Sequence, residues 1–164
     1  MDPLGTLRLP AIARLFPGAR IVVMRRDPRD VVWSCFRTSF APSPAFHAFA
    51  QLQRAARHYD ATMRLLEHCL AHLPLSFHIV RYEALVADFD GETRALCDFL
   101  GLDWSPELRR FDRTAHARGV GTASVAQVRR GLYSGAGQWR PYAAQLAPVL
   151  PLLEPWALRY GYTA

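Results

Sequence analysis

Two short apolar runs along the chain have the composition of strands buried in a parallel sheet. The first, RIVVM, extends from Arg20 to Met24, and the second, FHIV, extends from Phe77 to Val80. Both are nearly continuous and contain β-branched residues, which is typical of strands covered on both faces. The pattern therefore predicts two buried strands, each followed directly by polar residues.

Helical periodicity surrounds these strands. Apolar residues recur at near-helical spacing from about residue 7 to residue 16, and a long amphipathic pattern runs from about 46 to 73, where Pro74 ends it. Further helices are predicted at about 92–100, 107–111 and 142–160. The helix at 92–100 is closed by Gly101, where a left-handed C-cap is expected. Residues 115–137 lack periodicity and predict a long functional or mobile loop.

The residues after the first strand predict a tight turn and a helix. Asp27 can cap the free amides of that helix, and Pro28 is tolerated in its first turn. Ser34 then lies about two turns on, on the same side as Asp27 and Asp30. Arg26 lies at the carboxyl end of the strand, so Arg26 and Ser34 can aim at one anion such as phosphate. Taken alone, the segment favours the plainer interpretation, a capped helix with solvated polar residues.

The alternation of strands and helices, with one long helical insertion, predicts a three-layer α/β fold. Two strands are too few for a complete parallel sheet, so we expect a missing element at the front. With 164 residues, the chain is interpreted as a single partial domain, residues 1–164. Its parts are a βα unit at about 20–38, a helical insertion at about 44–73, a second strand and helix at about 76–101, and a C-terminal loop and helix at about 115–162.

Composition narrows the classes of ligand. The formal net charge is +6, and every one of the 20 residues counted as Lys or Arg is Arg. The arginines are dispersed without a basic run, which favours a small phosphorylated ligand over nucleic acid. Cys35, Cys69 and Cys97 show no CxxC or metal-ligand spacing, so buried free thiols in a reducing compartment and no metal are expected. No signal peptide or membrane span is visible, which makes the cytoplasm the expected compartment.

Three segments, in order, resemble motifs of the PAPS-dependent sulfotransferases, in particular the branch of bacterial proteins associated with tetratricopeptide repeats and of tyrosylprotein sulfotransferases. They are LFPGARIVVMRRDPRDVVWS, IVRYEALVADFDGETRALCDFLGL and TASVAQVRRGLYSGAGQWRPYAAQL. The resemblance covers roughly Leu4 to Tyr162. It implies a three-layer α/β/α fold of the P-loop nucleotide-hydrolase-like class. It also implies transfer of a sulfuryl group from PAPS to a hydroxyl or a tyrosine phenol.

The resemblance also assigns cofactor-binding residues. Arg26 and Ser34 would bind the 3′-phosphate of PAPS or of its product PAP, Tyr82 would lie near the adenosine, and Ser124 would touch the nucleotide. The residues that would complete a lid over the adenosine are Val125, Gln127, Val128 and Arg129. The plainer interpretations are a core tyrosine at position 82 and a polar surface loop at 124–129.

The chain departs from the family pattern at several points. Thr38 stands where tyrosylprotein sulfotransferases have a further Arg, and Gln138 stands where they have a Lys. No PRSGT-like 5′-phosphosulfate loop occurs in the sequence, and neither does the general base that follows it. We therefore expect an N-terminally truncated domain that lacks its first strand and phosphate loop, has no identifiable catalytic residue and transfers no sulfuryl group alone.

Two other function classes stay open. One is a non-catalytic nucleotide-binding module or pseudoenzyme, and the other, less favoured, is a basic nucleic-acid-binding protein. The expected partners are a nucleotide cosubstrate and an acceptor hydroxyl or tyrosine of unknown identity, without nucleic acid or membrane. An exposed sheet edge would also leave the chain open to self-association.

Overall fold

The computed structural model describes residues 5–38, 44–110 and 135–162. The α-helices and strands are α1 (Leu9–Leu15), β1 (Arg20–Arg25), α2 (Pro28–Arg37), α3 (Leu52–His72), β2 (Ser76–Arg81), α4 (Tyr82–Ala87), α5 (Phe89–Leu100), α6 (Ala143–Leu146) and α7 (Leu150–Arg159). Short 3-10 helices cover Gly5–Arg8, Pro44–Ala50, Pro106–Arg110 and Arg140–Tyr142. These elements form two compact units, a sheet unit and a helical unit.

The sheet unit contains β1 and, among the described residues, positions 76–110. β1 and β2 pair in parallel, with Arg20 opposite Ser76 and Arg25 opposite Arg81. Helix α5 packs against β2, where the ring of His78 stacks on Phe99 with 5.1 Å between ring centroids. The structure thus confirms both predicted strands and a small parallel sheet.

The predicted burial of the strands is wrong. Val22 in β1 and Ile79 in β2 keep 41% and 36% of their surface exposed. In the two strands together, Val80 is the fully buried residue. The faces of a parallel sheet are covered by packed helices. Among the described residues of the sheet unit these helices are α4 and α5, and they cover the apolar side chains only in part. A nearly continuous apolar run predicts a strand that is covered on both faces. The described residues of the sheet unit leave part of those faces exposed.

The helical unit contains residues 5–19, 26–38, 44–75 and 135–162 of the described chain. Its core is built mainly from apolar side chains of α2, α3, α6 and α7 and of the residue that follows α7. The largest of these, each less than a tenth exposed, include Trp33, Tyr59, Leu66, Leu146, Leu153, Trp156 and Tyr160. Polar bonds join α3 to α7 beside this core: the Trp156 indole donates to Asp60 at 2.8 Å, and the Tyr160 hydroxyl donates to Glu67 at 2.9 Å.

Several predicted helices differ in extent from those observed. The pattern from 46 to 73 divides into the 3-10 helix Pro44–Ala50 and α3, and the helix predicted at 107–111 is a 3-10 turn at 106–110. The helix predicted at 142–160 is broken between α6 and α7, where Pro148 removes an amide donor and crowds the preceding turn. Helix α4 follows β2 immediately, where only polar residues were expected.

Candidate functional site

The candidate site lies in the helical unit, at the first turn of α2. Asp27 is the N-cap of the helix: its Oδ1 accepts the backbone amide of Arg29 at 2.9 Å. The same carboxylate accepts two bonds from the Arg29 side chain, Nε to Oδ1 at 2.9 Å and Nη2 to Oδ2 at 2.7 Å. Arg29 is only 4% exposed, and its hydrogen bonds to Asp27 raise the pKa of the guanidinium above its ordinary value despite burial. The predicted cap is confirmed.

Arg29 also connects this turn to a segment more than a hundred residues later in the chain. Its guanidinium carbon lies 4.4 Å from the centre of the Trp139 ring, a cation–π distance. Trp139 is 9% exposed and belongs to the core of the helical unit. The Trp139 ring covers one side of the Arg29 guanidinium, which is also paired with Asp27. This ion pair is buried, with the two side chains 5% and 11% exposed.

Asp30, three residues into α2, is bound to the same later segment. Its Oδ2 accepts the amide of Gly137 at 2.7 Å and its Oδ1 accepts the amide of Trp139 at 2.9 Å. The residue is 1% exposed, and this burial raises the pKa of its carboxyl, while the two amides and the charge of Arg26 act in the opposite direction. Gly137 has φ +72°, a left-handed conformation that glycine adopts without a steric penalty.

Arg26 is bound to the later segment from the other side of the turn. Its Nη2 donates to the carbonyl of Gly135, and the same nitrogen lies 4.0 Å from Oδ2 of Asp30. The Arg26 side chain is 17% exposed, so its charge is partly shielded and still reaches solvent. We call the group formed by Arg26, Asp27, Arg29, Asp30 and residues 135–139 the Arg26 cluster.

Ser34 lies one turn beyond Asp30 on α2 and is half-buried. Within the described parts of the chain its hydroxyl makes no hydrogen bond. Its carbonyl accepts two bonds from Thr38, one from the amide at 3.1 Å and one from the hydroxyl at 2.7 Å. Thr38 therefore closes the last turn of the helix instead of offering the cation that tyrosylprotein sulfotransferases have there.

The thiol next to Ser34 is not activated. Burial raises the pKa of Cys35 to about 11, although the positive charge of Arg26 acts in the opposite direction. Cys35, Cys69 and Cys97 are all free thiols, as expected. Cys69 and Cys97 are buried, as predicted, but Cys35 is only half-buried. A thiol with so high a pKa is a poor nucleophile at neutral pH, so Cys35 is assigned no chemical role.

The remaining predicted site residues lie elsewhere. Tyr82 is the first residue of α4 in the sheet unit and is half-buried. Ser124, Val125, Gln127, Val128 and Arg129 lie outside the described residues. Gln138 is half-buried between the two amides that Asp30 holds. Of the eight residues assigned to the cofactor, the structure therefore places Arg26 and Ser34 in one unit and Tyr82 in the other.

Comparison with known proteins identifies the family. A family model described as the sulfotransferase family matches residues 2–106, which include β1, α2 and β2. The chain belongs to the sulfotransferase family. The match ends before residues 135–139, so it covers one side of the Arg26 cluster.

Two relatives place this sulfotransferase-family chain among longer proteins. An uncharacterised protein of Aquifex aeolicus (strain VF5) is 30% identical over 145 residues, which cover 87% of this chain and 19% of that protein. A Caenorhabditis briggsae protein with the provisional name protein-tyrosine sulfotransferase is 26% identical over 107 residues, covering 65% of this chain and 38% of that protein. The chain thus spans about a fifth and about two fifths of these relatives.

The part of this sulfotransferase-family chain that the structure describes shows neither a membrane-spanning helix nor a metal-binding group. None of the helices there has the length and apolarity that crossing a bilayer requires. Within the same residues, no group of three or more His, Cys, Asp or Glu side chains is arranged to hold a metal ion.

Sequence reasoning missed the two contacts that organise the site, Asp30 with the amides at 137 and 139 and Arg29 with the Trp139 ring. Both join positions about 110 residues apart, and no local pattern encodes such a pairing. The available signal was indirect: Trp139 lies in the third segment that resembles the family.

Proposed function

We propose that this chain binds the 3′-phosphate of PAPS or PAP through Arg26 and Ser34, as part of a sulfotransferase that transfers a sulfuryl group to a hydroxyl or a tyrosine phenol. For the whole domain we propose the three-layer P-loop nucleotide-hydrolase-like fold of that family. Membership in the sulfotransferase family and the similarity to the C. briggsae protein support the reaction class. The expected inactivity of the isolated chain and its self-association stay predictions.

One observation carries the proposal: a half-buried hydroxyl and a partly shielded guanidinium flank the first two turns of α2. The Ser34 hydroxyl makes no hydrogen bond among the described residues, and the Arg26 side chain is 17% exposed. A guanidinium recognises phosphate through paired N–H donors, and a hydroxyl adds one more donor. These two groups fit an anionic phosphate better than an uncharged ligand.

The carboxylates in the Arg26 cluster do not contradict this assignment. Asp27 is engaged in a bidentate pair with Arg29, and both oxygens of Asp30 accept backbone amides. Two arginines balance the two carboxylates, and the positive end of the α2 dipole favours an anion near the first turn. The local charge therefore permits a phosphate next to Arg26.

PAPS, when bound, supplies the activated sulfuryl group, and the described residues bind and orient the nucleotide. Arg26 and Ser34 would hold the end of the cofactor that carries the 3′-phosphate. Such an anchor fixes the position of the rest of the molecule and contributes to rate by orientation. The residues proposed to contact the adenosine part of the nucleotide are Tyr82, Ser124, Val125, Gln127, Val128 and Arg129.

The proposal is tested by titration calorimetry of the chain with PAP and with AMP, which lacks the 3′-phosphate. We expect PAP to bind more tightly than AMP and Arg26→Ala to weaken PAP binding by about 1.5–3 kcal/mol, the range for a charge-assisted hydrogen bond. Ser34→Ala should weaken it by about 0.5–1.5 kcal/mol, as for a neutral bond. Neither substitution should change AMP affinity.

Arg57→Ala is the matched control, because Arg57 is an exposed arginine on α3 and its removal changes the net charge equally. This variant should bind PAP like the unmodified chain. Equal affinity for PAP and AMP, or equal effects of Arg26→Ala and Arg57→Ala, would refute the assignment.

A further inference from the structure

We propose that Asp30 is a positioning residue for 3′-phosphate binding: its carboxylate fixes residues 135–139 so that the Gly135 carbonyl orients the guanidinium of Arg26. The inference rests on the proposed function, because it assigns Asp30 to the site where Arg26 is proposed to bind phosphate. Asp30 itself would not touch the ligand.

The burial of Asp30 shows that its bonds are structurally required. A carboxylate that is 1% exposed loses almost all its hydration, and this cost is offset only when both oxygens are hydrogen-bonded. Here the two oxygens accept the amides of Gly137 and Trp139 at 2.7 and 2.9 Å. One side chain of α2 thus fixes two alternate amides of a distant segment, and this sets the direction of the backbone between them.

The Gly135 carbonyl lies two residues before the first fixed amide, so fixing that amide limits the positions that the carbonyl can take. The carbonyl accepts a hydrogen bond from Nη2 of Arg26. The guanidinium is planar, so a bond to one of its nitrogens restricts the orientation of the whole fork. By contrast, Oδ2 of Asp30 lies 4.0 Å from the same nitrogen, beyond hydrogen-bond distance. Asp30 therefore acts on Arg26 in two ways, by its charge at 4.0 Å and through the segment that it fixes.

Electrostatics and positioning predict opposite outcomes for Asp30→Asn. Removing a negative charge close to a phosphate site should strengthen binding if charge alone matters. Positioning predicts weaker binding, because an Asn side chain has one oxygen acceptor and cannot serve both amides. The segment would lose one of its two bonds, and the orientation of Arg26 would be less restricted.

The experiment is a double-mutant cycle on the full chain with PAP and AMP as ligands. We expect Asp30→Asn to weaken PAP binding about tenfold and to leave AMP binding unchanged, an effect of the size seen between coupled residues. In the Arg26→Ala background, Asp30→Asn should have no further effect on PAP. Asp103→Asn, which removes an exposed carboxylate in the sheet unit, is the charge-matched control and should leave both affinities unchanged.

The outcomes separate this inference from the proposed function. If Asp30→Asn strengthens PAP binding, weakens AMP equally, or acts with the same size without Arg26, Asp30 has no positioning role while the phosphate site stands. If Arg26→Ala has no effect on PAP, the proposed function fails and the inference fails with it. Thermal melts of each variant establish that the compared chains are folded.

The unmodified chain provides an independent measurement if Asp30→Asn does not fold. We expect PAP, and not AMP, to shift the NMR signals of the Gly137 and Trp139 amides. A phosphate bound to Arg26 would change the hydrogen bond from Arg26 to the Gly135 carbonyl and thereby the environment of the two amides that follow. Signals that respond equally to both nucleotides, or to neither, would overturn the inference.

Discussion

Asp27 makes two stabilising interactions at the start of α2, and we expect them to contribute differently to the free energy of unfolding. Its carboxylate caps the helix through the Arg29 amide and pairs with the buried Arg29 guanidinium. We expect Asp27→Ala to lower the free energy of unfolding by about 3–5 kcal/mol, because it breaks a buried ion pair as well as a cap. Urea unfolding followed by circular dichroism measures this loss.

Asp88 is the matched control, because it caps α5 through the Gly91 amide at 2.9 Å and is exposed. Asp88→Ala removes a cap alone and should cost about 1 kcal/mol. If the two substitutions destabilise the chain equally, the Asp27–Arg29 pair contributes nothing beyond the cap.

The two aspartates of α2 differ in what the sequence can predict about them. Asp27 is recognisable as a cap because the amide it accepts is two residues away and the signal, Asp before Pro, is local. The partners of Asp30 lie 107 and 109 residues later. Only the folded chain brings them together, so the sequence predicts the face on which Asp30 lies but not its partners.

At the scale of elements, α3 and α7 are joined by a bond whose strength depends on pH. Burial raises the pKa of Asp60, but the bonds from Arg64 and Trp156 outweigh it, so the pKa lies below the ordinary value of 3.8. This bonding stabilises the fold above that value and is lost as pH falls through the folded-state pKa. We expect Trp156→Phe to cost about 1.5–3 kcal/mol at pH 7 and progressively less below about pH 4.

Trp104→Phe is the control for this pH dependence. The Trp104 indole donates to the uncharged hydroxyl of Thr93 at 2.9 Å, so its loss should be the same at both pH values. Urea unfolding at pH 7 and at about pH 3 gives both differences. A Trp156→Phe effect that does not diminish between pH 7 and pH 3 would contradict the expected loss of this bond in acid.

The elements themselves are largely predictable, and the exceptions have physical reasons. Both strands and the start of α2 follow from short apolar runs and an acidic cap. Helix α5 begins at Phe89, three residues before the predicted start, and Gly101 ends it at φ 69° as expected. The apolar periodicity after residue 142 continues through Pro148, so periodicity alone joins two helices that the proline separates. The exposure of the strands depends on what packs against the two faces of the sheet, and the apolar run itself does not contain this information.

At the scale of the whole molecule, the net charge of +6 attracts any polyanion, and salt separates this attraction from specific recognition. Binding of a DNA duplex that depends on charge alone should fall by orders of magnitude between about 50 and 200 mM salt. The ratio of PAP to AMP affinity should change less than about tenfold over that range, because a partly buried contact is screened less. Calorimetry measures the ratio of PAP to AMP affinity, and fluorescence anisotropy measures binding of the duplex. If duplex binding persists at a salt concentration where PAP and AMP bind equally, nucleic-acid binding is favoured.

The sequence indicates the class of ligand for the candidate site, an anion, but only some of the residues that form the site. The positions of Arg26 and Ser34, at a strand end and on the helix that follows, are local features of the sequence. Their assignment to a phosphate comes from the family resemblance, because the segment alone favours a capped helix with solvated polar residues. Tyr82 and residues 124–129 enter through the family resemblance and not through any physical pattern of their own. The segment at 135–139, which orients Arg26, has no distinguishing composition before the fold is known.

The contacts of Asp30 also set an order for folding. The turn at Asp27 closes within a few residues and can form as soon as α2 does, whereas the bonds to Gly137 and Trp139 close a loop of more than a hundred residues. Closing so long a loop carries a large entropic cost, so contacts of this kind form late. Helix α2 can thus be complete while the guanidinium of Arg26 is still unoriented. On a ribosome, the proposed anchor for phosphate would then be finished only after residue 139 has emerged.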